Sequence, residues 1–349
     1  MKKILYAYFG KLGVFTEDIP GHSFYQMGLL DAIRDIEGDC KIDFYSYLPT
    51  VNDTAIFPDS ELGRLNIKYF SELIDQYDIT FQETLDRIMA REYDAIYLKA
   101  RFRNLSTLAK GLFDAREFEG LIKVAAAMDV PVYVLDTDLS LPESFINSNP
   151  NRYPFTRRIP SINMPGIGKR FAYDCLEINS EKILKTKRNI DILYYGNLDF
   201  KNYKVGHAKN PIISDLLVAL DGHSMFDGSQ FLVTHAGKPV DGLSVYKQIN
   251  RSNRLEIWHA FATSLASINV SKDLYIERGF LPARAYEAAM FGTVTVSYND
   301  KTLHPAMSFT NIEQAIEQLT YLAEASPADY LSLYSYQVEQ LINKGKADE

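Results

Sequence analysis

Gly279-Phe280-Leu281-Pro282-Ala283-Arg284-Ala285-Tyr286-Glu287-Ala288-Ala289-Met290-Phe291-Gly292 runs directly into Thr293-Val294-Thr295-Val296. Pro282 suits a first helical turn, where its missing N–H costs nothing, and Gly292 suits a helix stop. The stretch therefore predicts a helix over Pro282–Phe291 and a strand over Thr293–Tyr298. Arg284 and Glu287 stand three residues apart, so both project from one face within the first two turns, near the helix end that attracts phosphate. An arginine fork can hold a diphosphate and a carboxylate can accept both hydroxyls of a ribose. A surface Arg–Glu pair is the alternative that spacing alone leaves open.

Working outward, the same alternation fills the second half of the chain. Strand patterns at Ile190–Tyr195, Phe231–Thr234 and Ser267–Ser271 are separated by helical patterns at Pro211–Leu220 and Leu255–Leu265, and Asn311–Ala323 and Pro327–Lys344 read as two closing helices. The first half has strands at Lys3–Phe9, Lys41–Tyr47, Ala95–Lys99 and Pro131–Leu135, with helical periodicity at Ser23–Ile36, before Ala95, and at Leu105–Met128. A segment rich in Asn, Pro, Arg and Gly, from Asn147 to Gly168, interrupts this rhythm and marks the domain junction near its end. Strand, helix, strand order implies parallel pairing by right-handed crossovers. The expected fold is α/β, two Rossmann-like lobes facing across a cleft, with domains at 1–170 and 171–325 and a final segment 326–349. A ligand is expected at the carboxyl ends of the strands.

Bulk composition agrees with two packed domains. The 349 residues are 46% apolar and 23% charged, which excludes global disorder, and the aromatic content of 13% rests on 23 Tyr and 20 Phe with a single Trp. Lys2 and Lys3 precede Ile4–Phe9, a run too short for a signal sequence or a membrane span, so a cytoplasmic protein without a membrane partner is expected. Cys40 and Cys175 both read as lying in strand-like surroundings, with no spacing for a disulfide framework or a structural metal. A net charge of −8 argues against a blanket phosphate-neutralising surface. The charge is uneven, however. Ala95 to Lys110 carries Lys99, Arg101, Arg103 and Lys110 with no acid, and Arg152 to Arg188 carries nine basic residues against Asp174, Glu177 and Glu181.

Two further segments accompany the Arg-x-x-Glu helix. Leu135-Asp136-Thr137-Asp138-Leu139-Ser140-Leu141-Pro142 places a carboxylate just beyond a strand, where it can reach an acceptor hydroxyl. Asp191-Ile192-Leu193-Tyr194-Tyr195-Gly196-Asn197 is a strand followed by a small-residue loop. Together the three segments resemble the phage DNA β-glucosyltransferases, the GT-B-fold enzymes that modify hydroxymethylcytosine in T-even phage DNA. The resemblance implies that Arg284 binds the donor diphosphate and Glu287 the ribose, and that Asp138 is the general base, with Asp136 the alternative. It also implies that Gly196 and Asn197 lie beneath the donor phosphates, and the final helix is expected to return to the N-terminal domain. Where the family has two arginines after this loop, the chain has Leu198-Asp199-Phe200-Lys201-Asn202-Tyr203-Lys204, so Lys201 and Lys204 would supply charge without a bidentate fork. Gly10, Gly13 and the Pro20-Gly21-His22-Ser23 turn correspond to the family's first loop and acceptor turn, and Ser23 stands where the family has glutamate.

The implied reaction is inverting displacement at the anomeric carbon of a UDP-sugar, glucose by family default and arabinose as the pentose alternative, with Mg²⁺ or Mn²⁺ as an optional aid on the diphosphate. The acceptor would be a hydroxymethylated pyrimidine flipped from duplex DNA in a phage-infected host, its backbone held by Lys99, Arg101, Arg103, Arg152, Arg157 and Arg158, with His22 and Ser23 near the sugar or base and the enzyme acting as a monomer. A polysaccharide, lipid or small-molecule acceptor would use the same donor residues. A non-catalytic nucleotide- or DNA-binding protein would not need Asp138.

Overall fold

The computed structural model describes residues 1–9, 19–46, 61–76, 79–100, 115–136, 156–160, 166–196, 209–234, 246–249, 254–271 and 273–343. They divide into two compact units, Met1–Gly168 and Lys169–Lys344. The division falls at the end of the Asn147–Gly168 interruption.

The first unit runs β1 (Lys2–Phe9), α1 (Ile19–Glu37), β2 (Cys40–Ser46), α2 (Glu61–Leu73), α3 (Phe81–Met89), β3 (Ala95–Ala100), α4 (Ala115–Ala127), β4 (Val132–Asp136) and β5 (Arg157–Pro160). Its strands lie in the order β2-β1-β3-β4-β5 and pair in parallel throughout. The apolar run of β1 is continuous because both faces are covered, as parallel sheets with crossover helices require. Ile4, Tyr6 and Tyr8 pack with Leu29, Leu30 and Ile33 of α1, while Leu5 and Ala7 pack with Phe118, Leu121 and Ile122 of α4. The Pro20-Gly21-His22-Ser23 segment, expected as a turn, belongs to the first turns of α1. Proline is tolerated there for the same reason as at any helix start.

The second unit runs α5 (Lys169–Lys185), β6 (Ile192–Tyr194), α6 (Lys209–Asp221), β7 (Phe231–Thr234), β8 (Tyr246–Ile249), α7 (Arg254–Thr263), β9 (Ala266–Asn269), α8 (Asp273–Glu277), α9 (Ala283–Met290), β10 (Val294–Tyr298), β11 (Ser308–Phe309), α10 (Ile312–Glu324) and α11 (Pro327–Asn343). The strand order is β11-β10-β9-β6-β7-β8, again parallel. Counted from β6 this is the 3-2-1-4-5-6 order of dinucleotide-binding sheets, with its direction of winding reversing between β6 and β9. Cys175 lies in α5 and not in a strand. Burial raises both its thiol pKa and that of Cys40, so neither is primed as a nucleophile.

The described residues of helix α11 pack onto the sheet of the second unit. Strand β11 pairs only with Ser297 and Tyr298, leaving the earlier part of β10 without a strand on that side. Gln337 of α11 fills the gap: its Oε1 accepts from Thr295 N at 2.8 Å and its Nε2 donates to Thr295 O at 2.7 Å. The buried amide thus replaces a missing strand and covers an otherwise open edge. Tyr330 Oη accepts from Val294 N and donates to Leu265 O, bridging the starts of β10 and β9, and Tyr334 Oη donates to Ala289 O.

At the amino ends of the same strands, Arg188 gathers several chain ends. Its Nη1 donates to Ser264 O at 2.8 Å and Phe261 O at 3.3 Å, and its Nη2 donates to Phe291 O at 3.1 Å. The cation sits where the carbonyls closing α7 and α9 converge, and Tyr330 lies beneath it with its ring centroid 5.3 Å from Cζ. Arg188→Met is expected to lower unfolding free energy by roughly 2–4 kcal/mol, since charge-assisted hydrogen bonds to buried carbonyls are lost together. Lys185→Met, which removes only an exposed pair with Glu181, should change it by less than about 0.5 kcal/mol. Chemical denaturation of the two variants checks this contrast.

Candidate functional site

In an open parallel sheet the crevice for a ligand opens beyond the carboxyl ends of the strands where the winding reverses. In the second unit this is the end of β6 together with the end of β9 and the helix that leaves it. Strand β6 ends at Tyr194, followed by Tyr195 and Gly196, and the chain leaving β9 passes through α8 before entering α9. Gly279, with φ of 59°, makes the turn between those helices. Gly292, with φ of 76°, ends α9, where a Cβ would come within 2.9 Å of Arg188 Nη2 and 3.0 Å of Asn179 Cβ.

Helix α9 starts at Pro282 in extended conformation, and no side chain caps it. Ala285 N donates to Pro282 O at 3.0 Å, and the amides of Ala283 and Arg284 precede it at the helix end whose dipole favours an anion. Arg284 and Glu287 lie on this helix as its spacing predicts. Glu287 is buried at 3% exposure, which is not the environment of a solvated surface pair. Arg284 is half-buried, with Cζ 5.8 Å from the ring centroid of Tyr194 and a buried Nη1 that has no hydrogen-bond partner among the described residues. Tyr194 is fully buried, and its Oη likewise has no partner. A guanidinium nitrogen left open at a helix start beside a reversal of winding is an anion-binding arrangement.

Gly196 lies at the same place. A Cβ on it would stand 2.6 Å from Tyr194 Oη and 2.7 Å from Cζ, so the tyrosine ring occupies the space that any other residue would fill. The structure thus brings Arg284 and Gly196 to Tyr194, with Glu287 three residues further along α9. Sequence reasoning passed over Tyr194, because an aromatic residue in a short apolar strand reads as ordinary core. Its position at the last residue of β6, two before a glycine, is the signal that distinguishes it.

Asn197, Lys201, Lys204, Gly10, Gly13, Asp138, Arg101, Arg103 and Arg152 lie outside the described residues. His22 and Ser23 are placed by backbone only, within α1. Of the basic residues expected to hold DNA, Lys99, Arg157 and Arg158 are among the described residues. Lys99 is 7% exposed, at the carboxyl end of β3, with Nζ 5.2 Å from the ring centroid of Tyr8, its partner in register on β1. Arg158 donates from Nη2 at 2.6 Å and from Nε at 3.0 Å to Oδ2 of Asp136, whose exposure is 1%. A buried aspartate needs such a partner, and this one joins β4 to the edge strand β5. Arg157 remains exposed. The pairing also accounts for Asp136 as a structural carboxylate. Among the described residues, no group of three or more His, Cys, Asp or Glu side chains could hold a metal ion, so they offer Mg²⁺ or Mn²⁺ no ligand set. None of the described helices is long and apolar enough to cross a membrane.

No family model matches the sequence. No curated protein matches it either. Solved structures to which the chain is similar include a UDP-forming α,α-trehalose-phosphate synthase from Burkholderia xenovorans, at 11% identity and a TM-score of 0.44 over 99% of this chain and 96% of that one. The trehalose-6-phosphate synthase OtsA matches at 9% identity and 0.46 over 99% and 96%. The lipopolysaccharide outer core galactosyltransferase WaaB matches at 9% identity and 0.43 over 98% of each chain. At TM-scores below 0.5 such likeness by itself defines neither a shared activity nor a shared substrate.

Asp136→Asn should lower stability by about 1–3 kcal/mol, because it leaves the Arg158 guanidinium facing a neutral amide in a largely buried place. Thermal and denaturant unfolding measure this, and an unaltered midpoint would remove the ion pair from the account of β5.

Proposed function

We propose that the chain is a nucleotide-sugar-dependent glycosyltransferase whose donor nucleoside diphosphate binds at the reversal point of the second unit. One observation carries this reading. Arg284, with an open Nη1, and the buried Glu287 share the uncapped start of the crossover helix α9, and Arg284 rests against the last residue of β6. Arg284 and the α9 amides would take the charge of the diphosphate, which grows as the bond to the sugar breaks, and Glu287 would accept the ribose hydroxyls. Preorganised positive charge at the leaving group is the largest contribution such a site makes. Asp138 would take the proton of the attacking acceptor hydroxyl, so that the new glycosidic bond forms as the sugar–phosphate bond breaks, with inversion.

The acceptor that the sequence resemblance supports is the hydroxymethyl group of a pyrimidine, 5-hydroxymethylcytosine first, in duplex DNA, and the donor is UDP-glucose or UDP-arabinose. The target base must leave the stack to react, at a cost of a few kcal/mol. A second reading, transfer to a small or uncharged acceptor, is favoured by the burial of Lys99 and by the engagement of Arg158 with Asp136, which subtract two cations from the expected DNA-facing set.

Arg284→Gln is expected to weaken UDP binding at least tenfold in calorimetry, the equivalent of about 1.4 kcal/mol. Asp138→Asn should leave UDP affinity within about twofold while turnover falls by 10²–10⁴, the usual contribution of a general base. Unchanged transfer by Asp138→Asn rejects the assigned base. Incubation with UDP-sugars and hydroxymethylated or plain DNA, followed by mass spectrometry of the nucleosides, identifies the acceptor. A new nucleoside mass supports DNA, and its absence alongside transfer of the sugar to a carbohydrate or lipid acceptor, with release of UDP, supports the second reading.

A further inference from the structure

We infer that Tyr194 is a positioning residue for Arg284, and that it makes donor affinity depend on the electron density of one buried aromatic ring. The inference rests on the nucleotide-sugar reading of the site and assigns a role to a residue that does not touch the ligand.

An arginine at a helix start has a long, flexible stem, and its fork binds phosphate well only when its direction is fixed beforehand. Here the guanidinium carbon lies 5.8 Å from the Tyr194 ring centroid, within the range in which a cation is drawn to an aromatic face. The ring is immobile on two counts. It belongs to β6, which is paired on both sides by β7 and β9, and it is fully buried. Its hydroxyl end is seated against Gly196, where the missing Cβ supplies the space. The sequence reading gave Gly196 to close approach of backbone amides to phosphate; the geometry gives it a further duty, admitting the tyrosine that carries Arg284. Cation–π attraction is non-competing here. It holds the guanidinium without using a hydrogen bond of Nη1, a buried nitrogen with no partner among the described residues, whereas a carboxylate partner would neutralise the charge and take its donors.

The test replaces Tyr194 by phenylalanine and then by phenylalanines of increasing fluorination, which keep ring size while draining the face of electron density. UDP affinity is measured by calorimetry in the otherwise wild-type chain and in an Arg284→Gln background. Tyr194→Phe should stay within about threefold of wild type, and the dissociation constant should then rise stepwise, roughly three- to tenfold in total at the trifluorinated ring. In the Arg284→Gln background the series should be flat, because the ring acts through the guanidinium. A flat series in the wild-type background overturns the inference, as does an equal rise in both backgrounds, which would mark a purely structural ring. If Arg284→Gln itself leaves UDP affinity unchanged, the nucleotide-sugar reading fails and this one with it, so the two failures are told apart.

Discussion

The proposed donor site depends on the contact between the Arg284 guanidinium and the face of Tyr194. Parallel strand order decides where a crevice opens, but a crevice binds nothing without charge directed into it. The contact ties the start of α9, reached from β9, to the last residue of β6, the two strands between which winding reverses. Remove the ring, and the arginine becomes one more solvated cation at a helix end. Remove Gly196's missing side chain, and the ring has no room to lie where it does.

The opposite end of the sheet is built for rigidity. Arg188 saturates its Nη1 and Nη2 on backbone carbonyls and the Thr293 hydroxyl, while Arg284 keeps Nη1 open. The same side chain does structural work in one place and, in the reading proposed here, binds the donor in the other. The difference lies in what surrounds it: carbonyls ending α7 and α9 around Arg188, an aromatic face beneath Arg284. Helix α11 belongs to the rigid end, since Gln337 and Tyr330 substitute for strand partners that the short β11 does not supply.

Much of this was legible in the sequence because period and punctuation agreed. Pro282 and Gly292 bracket α9 to within a residue or two, and Phe231–Thr234 is a strand at the bounds its apolar run indicates. Strand β5 was hidden because Arg157 and Arg158 are not strand-like in isolation. Among its described side chains only Ile159 is buried, and the segment is held by an ion pair to Asp136 that sequence spacing does not reveal, with Pro160 allowed because β5 lies at a sheet edge. Strand β8 is likewise a four-residue edge, with Lys247 exposed and its last residue, Ile249, buried. Helix α5 escaped notice because one position of its buried stripe is Asn179, which is polar yet 3% exposed, its Nδ2 donating to Met290 O and the Tyr334 hydroxyl. The donor-site pair was readable from local spacing, whereas Tyr194 required knowledge of which strands are neighbours.

Hydrogen exchange with and without UDP tests the central claim most directly, because it reports where a nucleotide touches the backbone. Protection should concentrate on Tyr195–Gly196 and on Ala283–Glu287, at the end of β6 and the start of α9, and leave the surroundings of Arg188 unaltered. Protection confined to the Arg188 end of the sheet, with these two segments exchanging as in the free protein, would contradict the account.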